Sequence, residues 1–480
     1  MRRWCIAACV LLLAGSAAAQ GSPRARRGRS TPRLTGARRA EVQQALAAAR
    51  AAAEAAPAWA APQLLISVAR AGLPQFRSQA LADDTAAFRL ALALPSPADP
   101  STPAGQAREQ IKRNAELEAV SELARNAGAA AALALVRLAD VPKAPLYDQL
   151  LLGARLSPAA ALNLVQECEL QGTFPYRGAA ALVERRRIRG FDLTALLTDG
   201  YLRAGDETGP RQISAAVFFL QAGRRAAPGL DGTLETAAVA LLRRLAGDQL
   251  AATTAANGFE RSAAVRLLAL LREVDPPRAA QWAVSHPGFA LAGPAYGYGY
   301  FPGGGNVRFA FALRPRLGPA AVPSSVADEP VAQFLARLNQ AERDQRRDPD
   351  AALAAADRAG DLLNQGLWDT QAPAAARLAL IYARVGDSAD AANLMAQCLD
   401  QAGREARQAD AAYDNAGAAG QAQQALHLQA ASWPVTAIYG LAARLDFTTA
   451  LERAENANFT LDKPFVLARL ALIAQLGRAR

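Results

Sequence analysis

The chain holds few of the side chains that carry out catalysis. Its 480 residues include two histidines, three lysines and four cysteines. His286 and His427 stand far apart, without the His-Glu-x-x-His spacing or paired cysteines of zinc sites. A Ser-His-Asp hydrolase would need one of them, and both the Gly-x-Ser-x-Gly turn and the Gly-x-x-x-x-Gly-Lys phosphate loop are missing from the sequence. We therefore expect no metal site, no cofactor and no catalytic residue.

Acidic pairs leave one catalytic alternative open. Glycosidases use two carboxyl groups that face each other across a sugar, and sequence spacing need not reveal such a pair. The candidates are Asp83-Asp84 and the series Asp344, Asp348, Asp350 and Asp357, which has Arg343, Arg346, Arg347 and Arg358 beside it. Charges in this mixture are typical of a solvent-exposed helix face. We therefore predict that these acidic residues are exposed to solvent. The alternative is that they belong to an enzyme acting on cell-wall polysaccharide.

The positive charge of the chain is concentrated at one end. The formal net charge is +10, and residues 1–40 carry nine arginines and no acid. This leaves about +1 for residues 41–480, so bulk charge gives no support for a nucleic-acid partner.

The first residues have the order of a secretory signal peptide. Met1 to Trp4 is a short cationic start, Cys5 to Ala14 is apolar, and Ala17 to Ala19 provides small residues for cleavage. The apolar run is too short to span a bilayer, and charged residues interrupt every later candidate. We predict a signal peptide at residues 1–19, export to the periplasm or the extracellular space, and no transmembrane segment in the mature chain.

Residues 20–40 are predicted to be a basic flexible arm, because they are rich in Arg, Gly, Pro and Ser. One interpretation is a solvated linker. The other is contact with a polyanion or an anionic membrane surface through four clustered arginines, namely Arg24, Arg26, Arg27 and Arg29.

Two cysteines, Cys168 and Cys398, lie beyond the predicted signal. Export permits a disulfide between them, whereas two buried thiols are the simpler interpretation. Spacing along the chain does not decide between the two.

The body of the chain has the pattern of an all-α protein. Apolar residues recur at three-to-four spacing, as in Ile111, Ala115, Leu117, Val120 and Ala124. Proline and glycine separate such runs, and Ser157-Pro158 and Asp275-Pro276 are typical of helix starts. Because alternating β-branched runs are almost absent, we predict an irregular α-solenoid of stacked helical hairpins, with one helical-repeat domain at 41–290.

A tract rich in Gly, Pro and Tyr interrupts the helical pattern at residues 291–330. Its glycine and proline content excludes a helix. It is not a dinucleotide-binding fingerprint, since Pro302 stands where the third glycine would be needed. The tract is predicted to be a linker or long loop between two helical domains, and stacking of its aromatic rings on a sugar or peptide is the alternative.

A second helical domain, 331–480, contains the clearest motif. The residues that share one register are Leu378, Ala379, Tyr382, Gly386, Asp387, Ala391, Met395, Cys398 and Leu399. Gly386-Asp387 suits a tight turn, and small Ala391 lets a second helix lie close to the first. Residues 374–402 resemble a tetratricopeptide repeat, a helix–turn–helix unit of about 34 residues. Ala375 replaces the family's usual Trp, and Gly403 its usual Pro.

Two similarities within the sequence support a repeat. Asp446, Ala450, Ala454 and Ala457 reproduce the spacing of Asp387, Ala391, Met395 and Cys398, and residues 468–473 are identical to residues 376–381. The last helix is expected to cap the array. The resemblance implies a packing role for Cys398 and a concave surface that binds peptides or proteins.

We therefore predict a non-catalytic exported scaffold that binds a protein or peptide in the cell envelope. The polysaccharide-acting enzyme and attachment to the membrane surface through the arm remain the alternatives.

Overall fold

The computed structural model describes residues 34–285, except 98, 100–101, 209 and 249–257, together with 330–365, 368–425 and 428–477. These residues are mainly helical, and no β-strand occurs among them. The all-α prediction is confirmed. The chain divides into two compact units, one formed by Met1–Ala119 with Gly305–Arg480 and the other by Val120–Gly304.

The helices are numbered along the chain. They are α1 (Gly36–Ala55), α2 (Ala61–Gly72), α3 (Arg77–Ala93), α4 (Pro103–Asn126), α5 (Ala129–Leu138), α6 (Ala144–Gly153), α7 (Pro158–Glu169), α8 (Tyr176–Glu184), α9 (Phe191–Asp206), α10 (Pro210–Ala226), a 3-10 turn (Pro228–Leu230), α11 (Asp231–Asp248), α12 (Gly258–Val274), α13 (Pro276–Ser285), α14 (Pro330–Asp344), α15 (Pro349–Leu363), α16 (Trp368–Val385), α17 (Ser388–Asn415), α18 (Gly417–Ala425), α19 (Leu428–Ala431), α20 (Trp433–Leu445), α21 (Phe447–Glu455) and α22 (Lys463–Gln475).

In the first unit, consecutive helices pack side by side from α14 to α17. Helix α20 contacts both α16 and α17, and α21 and α22 follow it. Helix α22 then packs against α1 and α2, and α2 packs against α3. The array therefore passes from the last described helix of the chain directly to the first three.

Helix α22 lies inside this array and does not cap it. Val466, Leu467, Leu470 and Ala471 have no exposed surface, and buried residues occur all around the helix. A helix that is apolar on every side needs partners on every side. Helices α1 and α2 cover the side that would otherwise face water, so the expectation of a terminal cap is wrong.

The units therefore divide the chain elsewhere than the predicted domains 41–290 and 331–480. Residues 42–76 share a core with the C-terminal helices because Val42 and Leu46 of α1 and Val68 of α2 belong to the same buried cluster as α22. The predicted arm also ends earlier than residue 40, since α1 begins at Gly36 and Thr35 caps it by accepting a hydrogen bond from the Arg38 amide.

In the second unit, alternate helices contact each other. Helices α6, α8, α10 and α12 form one row of contacts, and α9 and α11 contact each other outside this row. Arg137 on α5 pairs with Glu167 on α7, and Arg203 on α9 lies 3.8 Å from Glu169 on α7. These pairs bring the C-terminal ends of α5, α7 and α9 close together.

An aromatic cluster fills the centre of this second unit. Phe219 lies 5.3 Å from Phe174 and 5.8 Å from Tyr201, measured between ring centroids. Gly200 on α9 makes room for the cluster because a Cβ atom there would stand 2.3 Å from Phe219 Cε1.

The two helix starts predicted from Ser-Pro and Asp-Pro are confirmed. The Ser157 hydroxyl accepts from the Ala160 amide at 3.3 Å, and the Asp275 carboxylate accepts from the Arg278 amide at 3.2 Å. In each case proline occupies the first helical position, where its missing N–H costs nothing.

Candidate binding groove

An open groove of about 730 Å³ lies in the first unit between α17, α20 and α21 and the segment that follows α21. Its lining comprises Leu399, Asp400, Gly403, Arg404, Arg407, Tyr439, Glu452, Arg453, Asn456, Ala457, Asn458 and Phe459. Leu399, Gly403 and Arg407 follow at four-residue spacing, which places them along one line of the α17 surface.

Two aromatic rings form the floor of the groove. Tyr439 on α20 and Phe459 pack edge to face, with ring centroids 6.2 Å apart. Both are buried, so they are held in place by the core beneath. Burial raises the pKa of the Tyr439 phenol above its ordinary value, against the opposing effect of Arg453, and this phenol therefore stays neutral and can donate a hydrogen bond.

Three guanidinium groups line the groove above this floor. Arg453 Nη1 pairs with Asp400 Oδ1 at 2.9 Å. Arg404 donates only to the neutral Gln401 Oε1, at 2.5 and 3.0 Å. Arg407 forms no hydrogen bond or ion pair with any residue that the structure describes. Two of the three cations therefore lack an anionic partner.

The acids of the groove neutralise only part of this charge. Asp400 is used by Arg453, and Glu452 on α21 is exposed and forms no ion pair within the described part of the chain. Arg404 and Arg407 are exposed on α17 and can take a bidentate carboxylate from outside, which is the geometry that arginine favours.

The segment after α21 is fixed by hydrogen bonds. Asp410 on α17 accepts from the backbone amides of Thr460 and Leu461 at 2.5 and 3.0 Å. Lys463 Nζ donates to the backbone oxygens of Glu455 and Ala457. The groove wall is thereby formed in advance, which lowers the entropic cost of binding a segment there.

The predicted repeat residues all lie in helices α16 and α17 or in the turn between them, and this pair packs between α15 and α20. Those that are buried are Leu378, Ala379, Tyr382, Ala391, Met395 and Cys398. Gly386 has φ of +104°, a conformation that favours glycine. It allows the Asp387 amide to donate to the Tyr382 carbonyl at 2.9 Å, after which the Asp387 carboxylate caps α17.

The two cysteines are buried and free. Burial raises the pKa of each thiol to about 12. Cys168 donates to the Ala144 carbonyl at 3.7 Å, and Cys398 lies in the interior of α17. A thiol with so high a pKa is a poor nucleophile near neutral pH.

Of the acidic residues expected to be exposed, Asp348, Asp350 and Asp357 are exposed and Asp344 is half-buried, whereas Asp83 and Asp84 are not exposed. Asp83 and Asp84 are buried and not solvent-exposed, and Asp83 pairs with Arg50 on α1 at 2.5 Å. Asp348 caps α15, and Asp357 accepts a hydrogen bond from Tyr382 Oη at 3.1 Å. These contacts fix helices to one another or cap them.

A different pair of carboxyl groups meets in the second unit. Glu169 and Asp199 lie close enough to interact. Burial is the largest cause that raises the pKa of Glu169 to about 7, and Asp199 is the next. Glycosidases hold their two carboxyl groups about 5 to 9.5 Å apart so that a sugar or water fits between them. Arg203 lies 3.8 Å from Glu169 and 3.1 Å from Asp199, so a guanidinium group, and not a sugar, lies beside both carboxyl groups.

Several predicted residues lie outside the described part of the chain. They are His286, His427, Arg24, Arg26, Arg27, Arg29, the predicted signal at 1–19 and the tract at 291–329. Among the described residues, no group of three or more His, Cys, Asp or Glu side chains is arranged to hold a metal ion. None of the described helices has the length and apolar character needed to cross a membrane.

The groove itself was not predicted from the sequence. The four-residue spacing of Leu399, Gly403 and Arg407 was a visible signal, whereas the position of Tyr439 and Phe459 opposite them depends on tertiary packing. Comparison of the chain with protein-family models, curated proteins and solved structures finds no match.

Proposed function

We propose that this chain is a non-catalytic helical scaffold that binds an acidic peptide segment of a partner protein in the groove between α17, α20 and α21. The observation that carries the proposal is the pair Arg404 and Arg407, two exposed guanidinium groups without anionic partners beside a rigid aromatic floor. An open groove of this kind suits an extended segment better than a small molecule, which is usually enclosed.

The binding chemistry follows from the lining. A carboxylate of the partner pairs with Arg407 and Arg404, and its neighbouring apolar side chain contacts the edges of Tyr439 and Phe459. Asn456 and Asn458, both exposed, supply amides that pair with the partner's backbone. Glu452 disfavours a second carboxylate on the α21 side, which sets the direction of the bound segment.

The setting that fits this function is the cell envelope. The order of residues 1–19 supports export, and the pattern of residues 374–402 supports a tetratricopeptide-like relationship, whose members present concave surfaces to peptides. The chemistry of the described residues agrees with binding, because their cysteines are buried and Arg203 lies beside both Glu169 and Asp199.

Site-specific photo-crosslinking tests the proposal in cells that produce the full chain. A photoreactive amino acid at Asn458 is expected to give a covalent adduct with a discrete partner, lost when Arg404→Glu and Arg407→Glu are also present. The same amino acid at Ala409, an exposed α17 residue outside the groove, is the matched control. Equal adducts from both positions, or an adduct unaffected by the arginine substitutions, would show that the groove is not the binding site.

A further inference from the structure

One edge of the second unit gathers the C-terminal ends of three helices. Arg137 at the end of α5 pairs with Glu167 of α7 at 2.5 Å. Arg203 near the end of α9 pairs with Asp199 at 3.1 Å and lies 3.8 Å from Glu169 at the end of α7. We call this surface the α5–α7–α9 edge.

Each of the three helices presents a leucine to solvent at this edge. Leu138, Leu170 and Leu202 are 62%, 87% and 61% exposed. They follow one another at intervals of 32 residues along the chain. Each is adjacent in sequence to a residue of the ion pairs above, so the three leucines come from the same helix ends that those pairs bring together. A row of exposed leucines is unusual on a monomer surface and marks an interaction site.

Acidic groups outnumber basic groups around these leucines. The acids are Asp140, Glu167, Glu169, Asp199, Asp206 and Glu207, and the cations are Arg137, Arg203, Arg244 and Lys143, which precedes the Ala144 amide that donates to Gln171. Arg244 lies 3.7 Å from Asp206, and its remaining contacts are to backbone oxygens. The edge therefore has an excess of negative charge that its own arginines do not neutralise.

A buried hydroxyl lies beneath the acidic groups. Tyr176 on α8 is 2% exposed, and its Oη has no hydrogen-bond partner within the described part of the chain. Burial raises the pKa of this phenol, and Glu207 and Asp199 raise it further while Arg203 opposes them, which places the hydroxyl close to these groups.

We propose that the α5–α7–α9 edge is a docking site for a basic amphipathic helix of a partner protein. The three leucines contact the apolar side of that helix. Its lysines or arginines pair with Glu167, Glu169, Asp199 and Glu207. Charge complementarity selects this occupant over an acidic or neutral one. This site is separate from the groove of the first unit, which takes the opposite charge.

The docking site responds to pH through Glu169. The groups that act on it are Asp199 and Arg203 of α9. Glu167, two positions earlier on α7, pairs with Arg137 of α5. Burial and Asp199 raise the pKa of Glu169 to about 7. Below that pH Glu169 is protonated and the edge has one negative charge fewer, and above it the full charge is available. Affinity for a cationic helix therefore rises from pH 6 to pH 8.

Fluorescence anisotropy with the purified full chain tests the proposal. The probe is a labelled 18-residue helix of lysine and leucine, and its counterpart with glutamate in place of lysine is the charge control. The combined substitutions Leu138→Ser, Leu170→Ser and Leu202→Ser are expected to weaken binding of the lysine peptide about tenfold or more. Phe191→Ser, at the 85%-exposed residue that begins α9, is the matched control and is expected to leave affinity unchanged. Circular dichroism checks that all variants remain helical.

The pH dependence supplies a second readout. Wild-type affinity is expected to rise several-fold from pH 6 to pH 8, and Glu169→Gln is expected to abolish the rise. Binding that is unaffected by the three leucine substitutions would overturn the proposal. So would equal affinity for the lysine and glutamate peptides in a chain that carries Arg404→Glu and Arg407→Glu, in which the groove of the first unit no longer binds acidic peptides. So would self-association of the chain, seen by sedimentation velocity and lost with the same leucine substitutions, because the occupant would then be a second copy. The groove substitutions Arg404→Glu and Arg407→Glu are expected to leave binding of the lysine peptide unchanged. The proposal for this edge and the proposal for the groove can therefore be refuted independently.

Discussion

Replacing Gly200 by alanine tests the packing of the second unit at its most crowded point. The new Cβ atom would stand 2.3 Å from Phe219 Cε1, 2.6 Å from Phe219 Cζ and 2.8 Å from Phe174 Cζ. Both rings are buried and belong to the aromatic cluster, so neither can move into open solvent. Relief of the clash requires ring shifts of about 1 Å or separation of α9 from its neighbours.

The expected cost follows from two opposing terms. Overpacking a buried site costs about 1–3 kcal/mol, and contacts this short with two rings favour the upper value. Alanine regains up to ~1 kcal/mol over glycine in a helix interior. We therefore expect Gly200→Ala to lower the free energy of unfolding by about 2 kcal/mol.

Gly205→Ala is the matched control on the same helix. A Cβ atom there would meet Ala240 Cβ at 3.6 Å, an ordinary contact. Without a clash, the helix preference of alanine is expected to raise the free energy of unfolding by roughly 0.5 kcal/mol. Urea unfolding followed by circular dichroism measures both variants. If Gly200→Ala is as stable as Gly205→Ala, α9 does not pack on the aromatic cluster as described.

Three further predictions address other parts of the molecule. Removal of residues 34–72 takes away α1 and α2 and exposes the side of α22 that they cover. It is expected to lower the Tm, measured by circular dichroism, by roughly 10 °C or more. An unchanged Tm would mean that the stability of α22 does not depend on α1 and α2. Cys168 and Cys398, with thiol pKa values of about 12, are expected to react with a thiol reagent only after unfolding, and rapid reaction of the native chain would contradict their burial. Because the pKa of Glu169 is raised from 4.5 to about 7, the folded state holds this proton more tightly than the unfolded state does. The resulting contribution to stability is lost as pH rises from about 4.5 to 7. Glu169→Gln is expected to flatten this part of the pH dependence of urea unfolding, and an identical dependence in the variant would show that Glu169 does not have the raised pKa.

The sequence predicted those features that depend on local chemistry. Helix content follows from apolar spacing, and the starts of α7 and α13 follow from a capping side chain before proline. The turn at Gly386-Asp387 and the burial of Ala391 follow from residue size and backbone freedom. Each of these is decided within a few residues of the chain.

Features decided by distant residues could not be predicted in the same way. No local pattern indicates that α22 meets α1 and α2, since the contacting residues lie about 400 positions apart, as in the hydrogen bond from Gln475 Nε2 to the Ala71 carbonyl. For the same reason Asp83 was expected to be exposed, although Arg50 of another helix accompanies it into the interior. The groove combines α17 with Tyr439 and Phe459, which only the fold brings together.

We propose that the groove between α17, α20 and α21 binds acidic segments through Arg404 and Arg407. Its most direct test is fluorescence anisotropy of the full chain with a labelled peptide of alternating glutamate and leucine, at low salt. If the two arginines bind the peptide, binding is saturable and weakens at least about tenfold with Arg404→Glu and Arg407→Glu. Arg343→Glu, outside the groove, is expected to have no effect. Equal affinity for the wild type and the groove variant would contradict it.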